Sequence, residues 1–242
     1  MLSTHSPGFA SELPTDSIRY ISRDTVGLPT IAAGVDIFET VATALGVVAD
    51  SRIKVLLCVE GPTDVPALRA LSRALHLEDG AFPDLTTDRR VAFVPMGGST
   101  LQHWVTGHYL RGLGRPEVHI YDGDVGSYAE AVVQVNSRTD GSWAVQTQKH
   151  EIESYLHPDA IADAFGVHID VPDKLDPAGQ AVPRLFAEAM HSASPGYAPM
   201  RESNAKRLLS ARAFPLMTAE RLDVRDPAGE VRGWFRRLAS ML

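Results

Sequence analysis

The segment IKVLLCVE, at residues 53–60, constrains the fold most because both of its faces are apolar. A strand of that kind fits inside a parallel sheet that is covered on both sides. Further strand patterns lie at residues 90–98, 117–124 and 142–148. Helical patterns alternate with them, at residues 64–77, 99–113, 127–135 and 150–165. The alternation predicts an α/β fold, with a parallel sheet flanked by helices.

The two ends of the chain have patterns of their own. Residues 17–24 have a weak strand pattern, and residues 28–50 carry apolar side chains at the spacing of an amphipathic helix. Residues 166–242 have mostly helical patterns that several prolines interrupt. This C-terminal part is therefore expected to add helices to the sheet domain.

The composition indicates which binding modes and which cellular compartment suit the protein. The chain has 242 residues and a formal net charge of −7, which argues against binding nucleic acid by bulk charge alone. Cys58 is the single cysteine, so no internal disulfide can form and a reducing compartment is expected. The sequence has no apolar run that could span a bilayer and no signal-peptide pattern. We therefore expect a cytoplasmic protein that does not enter a membrane.

Acidic residues follow three of the predicted strands. Glu60 ends the first strand, Asp122 and Asp124 end the third, and Glu151 and Glu153 come after the fourth. Because the carboxyl ends of parallel strands meet at one edge of the sheet, these side chains are expected to converge and to repel one another. A divalent cation removes the repulsion. Oxygen ligands favour Mg²⁺, for which Mn²⁺ would substitute.

Each acidic residue also has a simpler interpretation. Glu60 could belong to an ordinary Gly-Pro turn, and Asp64 could cap the helix that it opens. Asp122 and Asp124 could form a polar turn. The order of the whole set at the strand ends favours a metal site instead. Two ions at such a site stabilise the entering and the leaving oxygen of a phosphoryl displacement.

Two motifs resemble those of a TOPRIM domain, the metal-binding fold of topoisomerases, bacterial primases and several nucleases. They are VEGPTD at residues 59–64 and YDGD at residues 121–124. STHSP at residues 3–7 and EIESYL at residues 151–156 extend the likeness. With all four motifs the chain resembles the C-terminal region of an OLD-family (overcoming lysogenization defect) nuclease. Such proteins join an ABC-type ATPase domain to a TOPRIM nuclease domain.

The resemblance implies four parts of the chain. Residues 1–27 would be the terminal piece of the ATPase domain, with His5 as its nucleotide-sensing histidine, and residues 28–50 would be a connecting helix. Residues 51–165 would be the TOPRIM core, and residues 166–242 would complete that domain or be inserted into it. The sequence has no G-x-x-x-x-G-K-[ST] loop, so nothing in it cradles a triphosphate.

The resemblance also assigns roles to single residues. The metal ligands would be Glu60, Asp64, Asp122 and Asp124. Glu153 would complete the second metal site, with Glu151 as the alternative. Only one of these two is expected to face the metals, because residues two apart on a helix do not share a face.

A lysine near the scissile phosphate is a further implication. Lys206 is the candidate, since its ammonium could stabilise charge in the transition state, and Lys149 is a weaker rival. The simpler interpretation of Lys206 is a solvated basic helix face. Other substrate or metal contacts would come from Arg207, Ser127, Gly97 and Gly98.

The expected function is a metal-dependent endonuclease that hydrolyses DNA phosphodiester bonds with two Mg²⁺ ions. The alternative is a non-catalytic, metal-binding TOPRIM module that docks a partner in DNA repair or recombination. The expected partners are DNA and the ATPase domain of the full-length protein, and a homo-oligomer stays open. The carboxylate set favours the nuclease, because a docking module has no need of it.

Overall fold

The computed structural model describes residues 19–23, 28–32, 52–97, 101–196 and 198–242. Strand β1 (Tyr20–Arg23) pairs antiparallel with β2 (Pro29–Ala32). The predicted connecting helix at 28–50 is therefore wrong at its start. Pro29 disfavours the helical conformation of the residue before it, and the next two residues are β-branched. The remainder of that helix and the STHSP motif with His5 lie outside the described residues.

Four strands form a parallel sheet, as the sequence predicts. They are β3 (Val55–Val59), β4 (Val91–Pro95), β5 (Glu117–Tyr121) and β6 (Trp143–Gln146). The strand order is β4-β3-β5-β6, and every neighbouring pair is parallel. The sheet is open, and this arrangement confirms the α/β class.

Helices flank the sheet in the part of the chain that the structure describes. The α-helices are α1 (Asp64–Glu78), α2 (Leu101–Gly107), α3 (Tyr128–Asn136), α4 (Pro158–Phe165), α5 (Val182–Ala193), α6 (Glu202–Leu208), α7 (Ala219–Arg225) and α8 (Glu230–Ala239). Short 3₁₀ segments lie at Tyr109–Leu113, Ile152–Tyr155 and Phe214–Leu216, and a π-helical turn, Leu209–Ala213, continues α6. Among these described helices, none is both long and apolar enough to cross a membrane.

The two faces of β3 enter different cores. Val55, Leu57 and Val59 pack in a large cluster that includes residues of α1 and of the C-terminal helices. Leu56 and Cys58 pack in a smaller cluster with residues of α2 and α3. Burial of all five side chains explains why this segment lacks the polar alternation of a half-exposed strand.

Two predicted helices are interrupted. The helix predicted at 99–113 ends at Gly107, where His108 takes a left-handed conformation with φ 47°. The helix predicted at 150–165 is replaced by a 3₁₀ segment and by α4. His157 is extended, at φ −81° and ψ 137°, because the following Pro158 disfavours the helical conformation before it. Proline is well suited to the first turn of α4 itself.

The strand order creates a crevice at the carboxyl ends of β3 and β5. The chain leaves β3 for β4 on one side and then returns past β3 to β5 on the other. In open α/β sheets, ligands bind outside the carboxyl ends of the strands at such a reversal. The residues that follow β3 and β5 are therefore placed at the position where a site is expected.

Candidate functional site

Three acidic side chains converge at this crevice. Glu60 directly follows β3, and Asp122 and Asp124 follow β5. One carboxylate oxygen from each residue lies within 4.8 Å of the others. Asp122 is buried, Glu60 is half-buried and Asp124 is exposed, so the group opens from the protein interior to solvent. The structure brings these three sequence-predicted ligands together.

Two further carboxylates, of Glu151 and Glu153, are linked to the same site by Lys206. This lysine lies on α6 and is close to both glutamates and to Asp122. The Lys206 Nζ atom lies 2.9 Å from Glu151 Oε2, 3.8 Å from Glu153 Oε2 and 3.8 Å from Asp122 Oδ2. Glu151 is extended at φ −149° and ψ 172°, and Glu153 lies in the 3₁₀ segment that follows. The expectation that only one of the pair faces the site assumed a continuous helix, which is not present here.

Several oxygens of these carboxylates are buried without a hydrogen-bond partner. They are Glu60 Oε2, Glu151 Oε1 and both Oε atoms of Glu153. The Glu153 side chain is wholly buried. Buried polar atoms are nearly always paired, so unpaired ones require an explanation. Unpaired carboxylate oxygens on strand ends are the ligand type of Mg²⁺ and Mn²⁺, and these residues fit a divalent cation.

Burial and mutual repulsion raise the pKa values of three of these carboxyl groups, Glu60, Asp122 and Glu153. Burial, with the neighbouring Asp124 and Asp64 carboxylates, raises the pKa of Glu60. Burial also raises the pKa of Asp122, and the Glu153 carboxylate adds to this effect. The pKa of Glu153 rises to about 8 through burial, although Lys206 opposes the shift. The metal-free site is therefore one in which the ionised carboxylates are disfavoured.

Lys206 is the cation that partly balances this charge. Burial alone would lower the pKa of Lys206, but the Glu153, Glu151 and Asp122 carboxylates outweigh it and raise the pKa. The ammonium therefore stays charged and offsets the negative charge of the carboxylates beside it, on Asp122, Glu151 and Glu153. Lys149, the rival candidate, pairs with Asp173 instead.

Replacing Lys206 by methionine is expected to destabilise the metal-free protein by about 2–3 kcal/mol, because the ionised carboxylates beside it lose their counter-charge. We place the effect below that of a fully buried pair because the Lys206 side chain is 31% exposed. Urea unfolding in EDTA measures it, and saturating Mn²⁺ should remove most of the deficit. The exposed Lys174→Met is the control and should change the unfolding free energy by less than about 0.5 kcal/mol. Equal stabilities of the two variants would contradict the assignment of Lys206.

The loop after β5 is fixed by close backbone contacts. A Cβ atom on Gly123 would lie 2.2 Å from the carbonyl oxygen of Lys149 and 2.4 Å from that of Thr147. The Ile152 backbone N–H donates to Asp122 Oδ1 at 3.0 Å, and Gln146 Nε2 donates to the Asp122 carbonyl oxygen at 3.0 Å. The loops after β5 and β6 are therefore joined, which sets Asp122 beside the glutamates.

Asp64 is the first residue of α1 rather than its cap, because Thr63 holds the N-cap position. Its Oδ2 accepts a 2.8 Å hydrogen bond from the Gly61 N–H, so it closes the turn between β3 and α1. The side chain is nevertheless buried near the site, and burial raises its pKa despite that hydrogen bond. The Gly61 contact occupies one oxygen of the carboxylate. Asp64 is thus a turn residue whose charge also contributes to the site.

The structure shows no side-chain contact with the carboxylates for the remaining predicted substrate or metal contacts that it describes. Ser127 and Arg207 are exposed, and Ser127 does not cap α3 with its side chain. Gly97, at φ 74°, donates its backbone N–H to the Glu60 carbonyl oxygen at 2.9 Å, so it borders the site through the main chain. Gly98 lies outside the described residues.

Tyr128 is a site residue that the sequence did not reveal. Its hydroxyl hydrogen-bonds the Glu60 carboxylate, while its ring packs against Tyr121 with centroids 5.3 Å apart. Burial and the Glu60 charge raise the pKa of Tyr128. An aromatic residue at the start of a helix is usually a core residue, so the pattern carried no signal for this contact.

A buried polar network on β5 was also missed. His119 Nε2 lies 2.8 Å from Glu117 Oε2, His119 Nδ1 pairs with the Tyr121 hydroxyl, and Arg138 Nη1 donates to Glu117 Oε2 at 2.8 Å. The Cys58 sulfur, a Glu117 carboxylate oxygen and a His119 ring nitrogen lie within 4.8 Å of one another, so the three residues could hold a metal ion by distance alone. Both histidine nitrogens are already bonded, so we interpret this network as structural. The polar alternation in EVHIY is the signal that could have found it.

Comparison of the chain with protein-family models, with curated proteins and with solved structures finds no match.

Proposed function

We propose that this chain is a divalent-metal-dependent endonuclease that hydrolyses DNA phosphodiester bonds by a two-metal mechanism. The observation that carries the proposal is the set of buried, unpartnered carboxylate oxygens at the strand ends, with Lys206 beside them. Paired metal sites of this composition are typical of phosphoryl-transfer enzymes. The resemblance to OLD-family nucleases adds DNA as the substrate and the ATPase domain of a longer protein as the partner. The single cysteine indicates a reducing compartment and hence a cytoplasmic location.

The carboxylates divide into two sets of ligands. Glu60, Asp122 and Asp124 would hold one ion, because their oxygens already lie within 4.8 Å of one another. Asp122, with Glu151 and Glu153, would hold the second, and both glutamates stay candidates since both face Lys206. When bound, the ions supply an activated water and stabilise charge on the oxygens of the phosphate.

Lys206 has a second role in this proposal. In the metal-free protein its ammonium neutralises carboxylates that the ions would neutralise instead. Bound ions would therefore leave the ammonium available to a phosphate oxygen of the substrate, where it stabilises transition-state charge. Arg207, the next residue on α6, is exposed and would contact the nucleic-acid backbone.

A plasmid assay tests the proposed activity. Supercoiled DNA is incubated with the protein in Mg²⁺, in Mn²⁺ or in EDTA, and nicked and linear products are measured. Cleavage that requires the divalent ion supports the nuclease. Saturable Mn²⁺ binding without cleavage of DNA or RNA would overturn it and leave the docking module, which keeps the same carboxylates but performs no reaction.

Metal binding near pH 7 is expected to release protons. The pKa of Glu153 is raised from 4.5 to about 8, so its carboxyl is mostly protonated there, whereas a metal ligand must be ionised. A raised carboxyl pKa also means that the metal-free fold loses stability as the pH rises from about 4.5 through 8. Mn²⁺ affinity should accordingly increase up to about pH 8 and then level off.

Calorimetric titration with Mn²⁺ in two buffers of different ionisation enthalpy measures the proton release. The apparent enthalpies should differ near pH 7 and agree near pH 9, where Glu153 is already ionised. The Glu153→Gln variant should show a smaller difference near pH 7. Identical enthalpies for the wild-type protein in both buffers at the lower pH would contradict the protonated site.

A further inference from the structure

A cavity lies at the opposite end of the strands from the carboxylates. Its volume is about 470 Å³, and it is lined by residues between 108 and 116 and between 137 and 140. These segments precede β5 and β6, whereas Asp122 and Glu151 follow the same strands. The cavity is therefore separate from the proposed nuclease site, and a pocket of this volume is large enough for a small organic ligand.

The cavity is basic although the chain as a whole carries a formal net charge of −7. Arg111, Arg115 and Arg138 line it, against the single carboxylate of Asp140. Arg111 and Arg115 form no ion pair within the described part of the chain. Guanidinium groups bind oxyanions through paired hydrogen bonds, so unpaired arginines around one cavity suit a ligand that carries a phosphate group.

One wall of the cavity is held rigidly. Arg138 donates to Glu117 Oε2 at 2.8 Å and to the Val105 carbonyl oxygen at 3.0 Å, and its side chain is only 11% exposed. These bonds connect the cavity wall to the buried network on β5. Arg138 is thus fixed before any ligand arrives, which reduces the entropy lost on binding.

His108 supplies two observations that do not depend on the arginines. It has φ 47°, and among the described residues it is the one non-glycine with positive φ. Its Nε2 atom is buried without a hydrogen-bond partner, although Glu117 Oε1 is 3.4 Å and Asp140 Oδ2 is 3.7 Å away. Strained backbone and unsatisfied buried polar atoms both concentrate at ligand sites. A ligand oxygen in the cavity would give this nitrogen a partner.

We propose that this cavity binds a small phosphate-bearing ligand, with Arg111 and Arg115 as its principal contacts and with Arg138 and His108 as its fixed wall. The shared chemistry is the phosphate oxyanion, which an inorganic ion or a nucleotide can supply. The inference does not rest on the nuclease proposal, because neither metal ions nor the carboxylate residues take part in it.

Calorimetric titration in EDTA tests the site with two probes, inorganic pyrophosphate and adenosine monophosphate. EDTA removes metal ions, so the carboxylate site repels both probes. Saturable binding of one molecule per chain is expected for the wild-type protein. Arg111→Gln combined with Arg115→Gln should weaken it at least about tenfold, since two charge-assisted hydrogen-bond donors are lost.

The matched control removes the same charge elsewhere. Arg73→Gln combined with Arg89→Gln changes two exposed arginines and should leave the affinity within about twofold of the wild type. Tighter binding of adenosine monophosphate than of pyrophosphate identifies a nucleotide ligand, and the reverse order identifies an inorganic one. Absence of saturable binding of both probes, or wild-type affinity in the Arg111/Arg115 variant, overturns the proposal.

Discussion

Asp122→Asn should reduce Mn²⁺-dependent DNA cleavage at least about 100-fold, because even groups that only orient metal ligands are worth 10–100-fold. The same change should raise the thermal stability of the protein in EDTA. Asparagine keeps the acceptor for the Ile152 N–H but removes a buried carboxyl group whose ionised form is disfavoured by burial and by the neighbouring Glu153. Opposite effects on activity and on metal-free stability are the signature of a residue kept for function.

The control for this variant is Asp159→Asn, which makes the same chemical change at an exposed position on α4. It should leave cleavage unchanged, and the free energy of unfolding should stay within about 1 kcal/mol of the wild type, since Asp159 lies in the first turn of α4. Cleavage rates are measured on supercoiled plasmid, and unfolding is followed by circular dichroism. Undiminished cleavage by the Asp122 variant would remove this residue from the metal site, whatever its effect on stability.

Gly123→Ala should destabilise the protein by about 3 kcal/mol, at the upper end of the range for overpacking. The new methyl group would lie 2.2 Å from the carbonyl oxygen of Lys149, which is backbone and has little freedom to move. Relief of that clash would separate the loops after β5 and β6. The variant should therefore also lose Mn²⁺ affinity, because Asp122 and the glutamates come from those two loops.

Gly126→Ala is the matched control, three residues further along the same loop. Apart from its two neighbours along the chain, no residue places a heavy atom within 4 Å of the position that its Cβ would take. Its free energy of unfolding should stay within about 1 kcal/mol of the wild type or rise slightly. If urea unfolding gave the two alanine variants equal stabilities, close backbone contact at Gly123 would not be what joins the loops.

The sheet could be predicted because its signals are local. The VLLCV strand is apolar on both faces, and Asp64 marks the position where α1 begins. Burial on both sides and helix periodicity are properties of a short window of sequence. The strand-end carboxylates could be predicted for the same reason, since parallel strands place their carboxyl ends together.

The interrupted helices show where local patterns fail. Residues 150–165 have helical composition, yet Pro158 ends the preceding segment and begins α4. The interruption of the helix also changes the site. Because Glu151 is extended rather than helical, both Glu151 and Glu153 lie beside Lys206. A two-residue spacing excludes a shared face only when a helix is present.

Contacts between distant residues were beyond prediction. Tyr128 reaches Glu60 across the crevice, and Lys206 comes from a helix more than fifty positions beyond Glu151. Lys206 was identifiable as a candidate from the resemblance, but its three carboxylate partners depend on how the C-terminal helices pack against α1. Such packing is decided by shape and by the whole core rather than by spacing along the chain.

The most direct test of the metal site is anomalous diffraction from crystals soaked in Mn²⁺. One anomalous peak is expected among Glu60, Asp122 and Asp124. A second peak is expected beside Asp122 and the two glutamates, with the Lys206 ammonium displaced from its present contacts. Saturating Mn²⁺ that leaves both positions without a peak, or that binds only elsewhere on the protein, would contradict a metal site at these carboxylates.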